Sequence, residues 1–394
     1  MFSRRLSWSL SSNRLARLLA EKHQAGTEIL DLTESNPTRA GFDYSAQQIL
    51  PGLNDSHALV YQPEPLGLRS AREAVSRYYA QRGQDVSPER LTLTASTSEA
   101  YSFLFKLLGN PGDGVLVPRP SYPLFDYLAS VESIEADSYS LVYDGTWSVD
   151  LETIRRKIGP RTRALLLVHP NNPTGSYVKR AERDALTAIC REHGLALIVD
   201  EVFSDYPLYE DPGRIPSFVG DAGVLTFVLS GLSKIAALPQ MKLAWICTGG
   251  PEDLQGEAQQ RLEQLGDLFL SVGAPVQHAA GRFLELAPAM QGGIRARLIE
   301  NDRLLRKALR PESPLEALRT EGGWYAVIRC PDVRSSEEWA LALLASDDTL
   351  LHPGYLFDFP SEAYLVVSLL ADSEIFAEGI DRLSSRVAAT VAAI

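Results

Sequence analysis

The stretch ALLLVHPNNPTGSYVKRAERDALTAICREHGLALIVD (164–200) decides the fold class. It opens on an unbroken apolar run, Ala164–Val168, and closes on another, Leu195–Val199. Strands that are apolar at every position, rather than at alternate ones, are covered on both faces, as in a mostly parallel sheet. Between the runs lie a Pro/Asn/Gly turn (171–175) and an amphipathic segment, Lys179–His193, which Gly194 ends as a C-cap. That is one strand–helix–strand unit. Working outward, Leu91–Ala95, Val115–Val117, Val224–Leu229 and Leu243–Thr248 read as further covered strands. Arg69–Ala80 sets Ala71, Ala74, Val75, Tyr78 and Tyr79 at helical spacing. The expectation is an α/β sheet with helices on both sides. From about Gly281 the texture changes to a long helical stretch reaching Leu309, followed by strand-like runs at 322–328 and 365–370, which suggests a smaller α+β unit.

With 394 residues, 45% of them apolar and 22% charged, the chain suits one large and one smaller globular unit. A net charge of −12 argues against nucleic acid or an anionic membrane surface as partner. The basic start Met-Phe-Ser-Arg-Arg is not followed by a secretory-type apolar stretch, and no run nears membrane-spanning length. Cys190, Cys247 and Cys330 are scattered, which fits a reducing, cytoplasmic setting and argues against a disulfide frame or a thiolate metal site. The six histidines lack metal-ligand spacing, so no catalytic metal is expected.

Three features carry chemistry, in order along the chain: Asn172 in the 171–175 turn, Asp200 at the end of an apolar strand, and Lys234 in Ser-Gly-Leu-Ser-Lys (230–234). Alone, Lys234 would be an ordinary surface lysine, Asp200 a helix cap and Asn172 a turn residue. Together, in this order and spacing, they resemble the fold-type-I aminotransferases (class I/II) that use pyridoxal 5′-phosphate (PLP), over roughly residues 31–382. The resemblance implies a three-layer large domain with a mostly parallel seven-stranded sheet, residues 51–280. It also implies a discontinuous small domain from 1–50 and 281–394. The implied activity moves an amino group from an amino acid or amine to a 2-oxo acid. Lys234 would form a Schiff base with PLP and shuttle a proton. Asp200 would pair with the pyridine nitrogen. Asn172 would donate to the ring oxygen, and Tyr122 of Pro-Ser-Tyr-Pro (120–123) would stack on the ring. Ser96-Thr97-Ser98, opening a helix, would cradle the phosphate, with hydroxyls from Ser230 and Ser233 and the charge of Lys242. Tyr61 would reach the neighbouring subunit's phosphate, making a homodimer. A lyase or decarboxylase on the same scaffold, or a non-catalytic PLP-binding module, would use the same cofactor residues.

The chain departs from the family pattern in several places. Lys242 stands where an arginine fork is usual, keeping the charge but not the bidentate geometry. Gly231 replaces a frequent serine. Phe203 replaces a tyrosine that donates to the ring oxygen, with Tyr206 as a possible substitute; losing that donor predicts a raised pKa for the lysine imine. Val366 stands where relatives place the arginine that clamps the substrate α-carboxylate, and no lysine or arginine occurs between Arg334 and Arg382. Arg39 and Arg329 are the candidate replacements.

Overall fold

The computed structural model describes residues 2–394 apart from 7, 9–11, 222 and 311. After α1 (Arg14–Gln24) and α2 (Arg69–Ala80) the chain enters its main sheet with β1 (Leu91–Thr94), followed by α3 (Thr97–Leu108) and β2 (Gly114–Arg119). Next come β3 (Glu135–Tyr143), β4 (Trp147–Val149), β5 (Thr162–Val168), α4 (Arg180–His193) and β6 (Ala196–Asp200). β7 (Thr226–Gly231) leads into the one-turn helix α5 (Leu232–Ile235), then β8 (Ala244–Gly249), α6 (Glu252–Phe269) and the long α7 (Ala274–Ala308). β9 (Glu316–Ala317), β10 (Tyr325–Arg329), α8 (Ser336–Asp347), β11 (His352–Pro353), β12 (Tyr364–Ser368) and α9 (Ser373–Ala392) complete the chain.

The main sheet has the order β1-β8-β7-β6-β5-β2-β3-β4. Neighbours from β7 through β3 run parallel, while β8 is antiparallel to both β1 and β7. The sheet therefore has eight strands where the sequence led us to expect seven. The additional one, β4, is a three-residue edge strand folded back on β3 through Gly145 at φ 73°. Both β3 and β4 escaped the sequence reading because β3 alternates exposed and buried residues, as an edge strand does, instead of presenting an apolar run.

β6 and β7 are buried along their whole length and β5 from Ala164 onward, which explains their continuous apolar sequence. Alternation sends Phe227 and Leu229 into the layer under α3, and Val228 into the layer with α2 and α7. A second core gathers Leu15, Leu32, Ile294, Leu298, Trp324, Ala326, Trp339, Val367, Phe376 and Leu383 around the four-stranded antiparallel sheet β9-β10-β12-β11. The same core reaches Val202, Phe203, Tyr206 and Ala237, so the two cores meet beside Asp200 and Lys234.

Candidate active site

Register aligns the functional ends of three strands. Val168 of β5 pairs with Asp200 of β6, and Asp200 pairs with Leu229 of β7. The chain segments leaving these strands therefore start side by side, strands in a sheet being about 4.8 Å apart. They carry Asn172, Asp200 and Lys234 to the carboxyl edge of the parallel strands, where open α/β sheets form ligand crevices.

Asp200 is buried at 8% exposure. Its Oδ1 accepts from the Val202 N–H at 3.1 Å and its Oδ2 from the Tyr101 hydroxyl at 2.8 Å. Burial pushes its carboxyl up, while those two donors and the Lys234 charge pull it down. Lys234 is partly buried, its Nζ lying 4.7 Å from the Trp324 ring centroid and 5.5 Å from that of Phe203. Burial pushes the amine down to about 8, partly offset by Asp200. A lysine near that value is neutral often enough to act as a nucleophile or base at ordinary pH. Trp324 was missed in the sequence reading, although the preceding Gly322-Gly323 pair marks its turn. The Gly322 nitrogen and oxygen lie so near Gly175 that a Cβ at 175 would sit 2.4 Å from the Gly322 oxygen.

Asn172 is buried, and its Oδ1 has no hydrogen-bond partner among the described residues. Its neighbour Asn171 serves the turn instead, donating to Ser121 Oγ at 3.2 Å and accepting from Thr174 Oγ1 at 2.9 Å. Tyr122 is partly buried and packs edge-on against Phe125 with centroids 5.8 Å apart. Its phenol is pushed up to about 12 by burial first, then by the charge of Asp200 and by Tyr325. Ser96 is the N-cap of α3, its Oγ accepting from the Glu99 N–H at 3.2 Å, and Thr97 and Ser98 form the first turn. Their backbone N–H groups point out of a helix N-terminus, an anion-binding arrangement. Tyr101, one turn further on, was also missed; it ties this helix to Asp200.

Other expected residues lie less simply. Ser233 sits in α5 beside Lys234, and Lys242 is exposed, two residues before β8, at φ 53°. By strand alternation Ser230 falls on the Val228 side of β7, away from the layer that α3 covers. Ser230 therefore does not share a face with Ser96–Ser98. A side chain at Gly231 would put its Cβ 2.8 Å from that of Ala244, so the serine frequent in relatives does not fit here. Tyr206 donates its hydroxyl to the Lys234 carbonyl at 2.5 Å and so is not a free substitute for the tyrosine replaced by Phe203. His169 is a structural residue: Nδ1 accepts from the Val178 N–H at 3.1 Å and Nε2 lies 3.1 Å from the Ile215 carbonyl.

Val366 is fully buried, with Val327 and His352 as its cross-strand neighbours. Arg329 lies five residues from Trp324, roughly 17 Å along an extended strand, and its guanidinium pairs with Glu316. The structure thus removes Arg329 from the crevice as a carboxylate ligand. Arg39 is exposed in the loop whose Glu34 carbonyl accepts from the Ser368 hydroxyl at 2.6 Å. Tyr61 is 82% exposed, in a row with Leu59 at 88% and Val60 at 63%.

A buried carboxylate facing a low-pKa amine at the open edge of a doubly wound sheet marks an α/β enzyme of small molecules. The signature described as aminotransferase class I and II spans residues 27–374, and the chain belongs to that family. It is an aminotransferase of the α/β fold-type-I class, a family of PLP enzymes. The glutamate-pyruvate aminotransferase AlaA of Escherichia coli is 28% identical over 346 residues, 86% of this chain and 85% of its own length. An alanine aminotransferase of Mycobacterium tuberculosis is 29% identical, covering 94% of this chain and 87% of its own. Among solved structures, an aminotransferase from Escherichia coli superposes with a TM-score of 0.85 at 25% identity, covering 98% of each chain. The alanine aminotransferase of Pyrococcus furiosus gives 0.89 at 24% identity, covering 99% of this chain and 100% of that one, a likeness of fold.

Proposed function

We propose that this aminotransferase binds PLP covalently through Lys234 and moves an amino group from an amino acid or amine to a 2-oxo acid. The observation that carries the reading is that Asp200, at the end of β6, and Lys234, just past β7, the strand paired with it, share one buried, mostly apolar site. The residues suit the cofactor. Asp200 has only neutral hydrogen-bond donors and calls for a cation; a protonated pyridine nitrogen is one. The unpartnered amide of buried Asn172 suits a polar ring substituent. The Ser96–Ser98 helix start, with Lys242, suits a phosphate. Bound there, PLP would supply an aldehyde carbon for the amine and an electron sink for the bonds at the substrate's α-carbon.

The chain's own residues supply the rest. Lys234 Nζ would hold the cofactor, and its free amine would be placed to take the proton from the substrate α-carbon. Asp200 keeps positive charge on the ring, aided by Tyr101. Trp324 and Phe203 lie against the amine and shield it from water, and burial brings its pKa down to about 8, so a usable fraction is unprotonated near neutral pH. Mixing the protein with an amino donor and a 2-oxo acid, then assaying the new amino acid and keto product, tests the reading. Release of carbon dioxide or ammonia instead would favour decarboxylation or elimination.

The division into a large domain, 51–280, and a small one, 1–50 with 281–394, is part of this proposal, supported by the separate packing of the second core. So is the homodimer with Tyr61 crossing to its neighbour's phosphate: an exposed Leu59-Val60-Tyr61 row is what a partner subunit would cover. Tyr61→Phe should weaken PLP binding by roughly tenfold or more, as for a lost hydrogen bond to a charged group, with the dimer intact by sedimentation. Unchanged affinity would remove Tyr61 from the site. Among the described residues no helix is long and apolar enough to cross a membrane.

Phe203 tests the ring-oxygen environment. Its side chain is 5% exposed, edge-on to Trp324 at 5.4 Å. Phe203→Tyr should lower the pH midpoint of the bound cofactor's absorbance, because the added hydroxyl stabilises the deprotonated form. An unchanged or raised midpoint would sink that assignment.

A further inference from the structure

We propose that Gln291, Tyr206 and Tyr44 are positioning residues for Lys234, holding carbonyl oxygens of the one-turn helix that carries it and of the turn that follows, and that Arg82 and Asp205 hold Gln291 in turn. The inference rests on the reading of Lys234 as the reactive amine.

Helix α5 has four residues. A single turn fixes several dihedrals for hardly any internal hydrogen bonding, and its last carbonyls have no partner within the helix. Bulk water has little access along this segment: Leu232, Ile235, Ala236, Ala237 and Leu238 are each at most 2% exposed, with Ser233 and Lys234 partly buried. The Lys234 oxygen accepts from the Ala237 N–H at 3.2 Å, and three side chains supply further donors along 234–237. The Tyr206 hydroxyl donates to the Lys234 oxygen at 2.5 Å, Gln291 Nε2 to the Ile235 oxygen at 2.9 Å, and the Tyr44 hydroxyl to the Ala237 oxygen at 2.7 Å. The third contact falls where the backbone needs holding, because Ala237 is a non-glycine residue at φ 53°.

Gln291 is fixed from behind. It is 8% exposed, and its Nε2 also donates to Asp205 Oδ2 at 3.0 Å while its Oε1 accepts from Arg82 Nη2 at 3.4 Å. Asp205 in turn accepts from Arg82 Nε at 2.9 Å and from the Tyr78 hydroxyl at 2.6 Å. Asp205 lies in the loop that leaves β6 directly after Asp200. The network therefore ties the backbone of Lys234 to the loop of Asp200, to α2 and to α7. Reacting groups need placement within about half an ångström, and a misplacement of about 1 Å can cost about a hundredfold in rate. A one-turn helix cannot meet that demand alone.

Asn301 provides the comparison, being buried on the same helix α7 and donating to the Leu369 and Ala371 carbonyls at 2.8 Å each, away from α5. The test uses the full chain as purified, in four forms: parent, Gln291→Leu, Tyr206→Phe and Asn301→Ala. Backbone amide exchange is followed in the peptide spanning 231–242, with kcat and KM for transamination. Gln291→Leu should speed exchange in that peptide by about tenfold, the population change from one lost hydrogen bond. It should also lower kcat by at least about tenfold with KM for the amine within about twofold. Asn301→Ala should melt earlier and change neither. Tyr206→Phe removes one hydroxyl and should reproduce the exchange change if Gln291→Leu does not fold. The proposal is overturned if the variants that touch α5 exchange there no faster than Asn301→Ala does, or if kcat is unmoved. A chain with no transamination at all would refute the assigned function, while the exchange comparison would still decide the clamp.

Discussion

Lys234→Ala should lower kcat for transamination by about 10⁴-fold or more, because one substitution removes both the covalent anchor and the proton carrier. The folded protein should survive it. The amine has no hydrogen-bond acceptor among the described residues and its neighbours are the Trp324 and Phe203 rings, so alanine leaves no orphaned polar partner. A partly buried side chain is lost from beside two rings that also touch each other, and only a modest fall in melting temperature is expected. The diagnostic combination is lost turnover with retained folding, read by circular dichroism beside the rate. Turnover within tenfold of the parent would mean that another group carries the proton.

Asp200→Asn should be the second largest loss, about 10²-fold to 10³-fold in kcat, the scale of removing one preorganised electrostatic contact from a dry site. Asparagine nearly matches the shape and can still accept a hydrogen bond. What it cannot do is hold a positive charge opposite. The substitution has a second readout with a definite sign. The Asp200 carboxylate is the one charge that raises the Lys234 pKa against the downward pull of burial. Removing it should move the lysine's titration below its value of about 8, not above it. Trace acylation of Lys234 at a series of pH values, in protein freed of cofactor, reads that midpoint. A rise on substitution would show that Asp200 and Lys234 do not face one another.

The central strands were legible because both faces are covered: 164–168 and 195–199 are apolar at every position and buried at every position. The α4 helix was legible by its 3.6-residue period and by Gly194, whose φ of 63° is the left-handed cap that the glycine suggested. The β3–β4 edge was not, because half its residues face solvent and no run of apolar residues forms. Within the site, residues that follow a strand end directly, such as Asp200 and Lys234, could be placed from sequence since the strand fixes where they emerge. Residues that meet them from distant elements could not. Tyr101, Trp324 and Gln291 reach the site by tertiary packing from other elements, and their local sequence does not place them there. Arg329 failed for the converse reason. It sits on an appropriate strand, but at the end of it far from Trp324, where Glu316 claims it.

Borohydride reduction of the purified protein, followed by peptide mapping, tests the central claim most directly. A single pyridoxyl label on Lys234, absent from Lys234→Ala, is the predicted result. A label on any other lysine, or none on folded protein supplied with PLP, would contradict it.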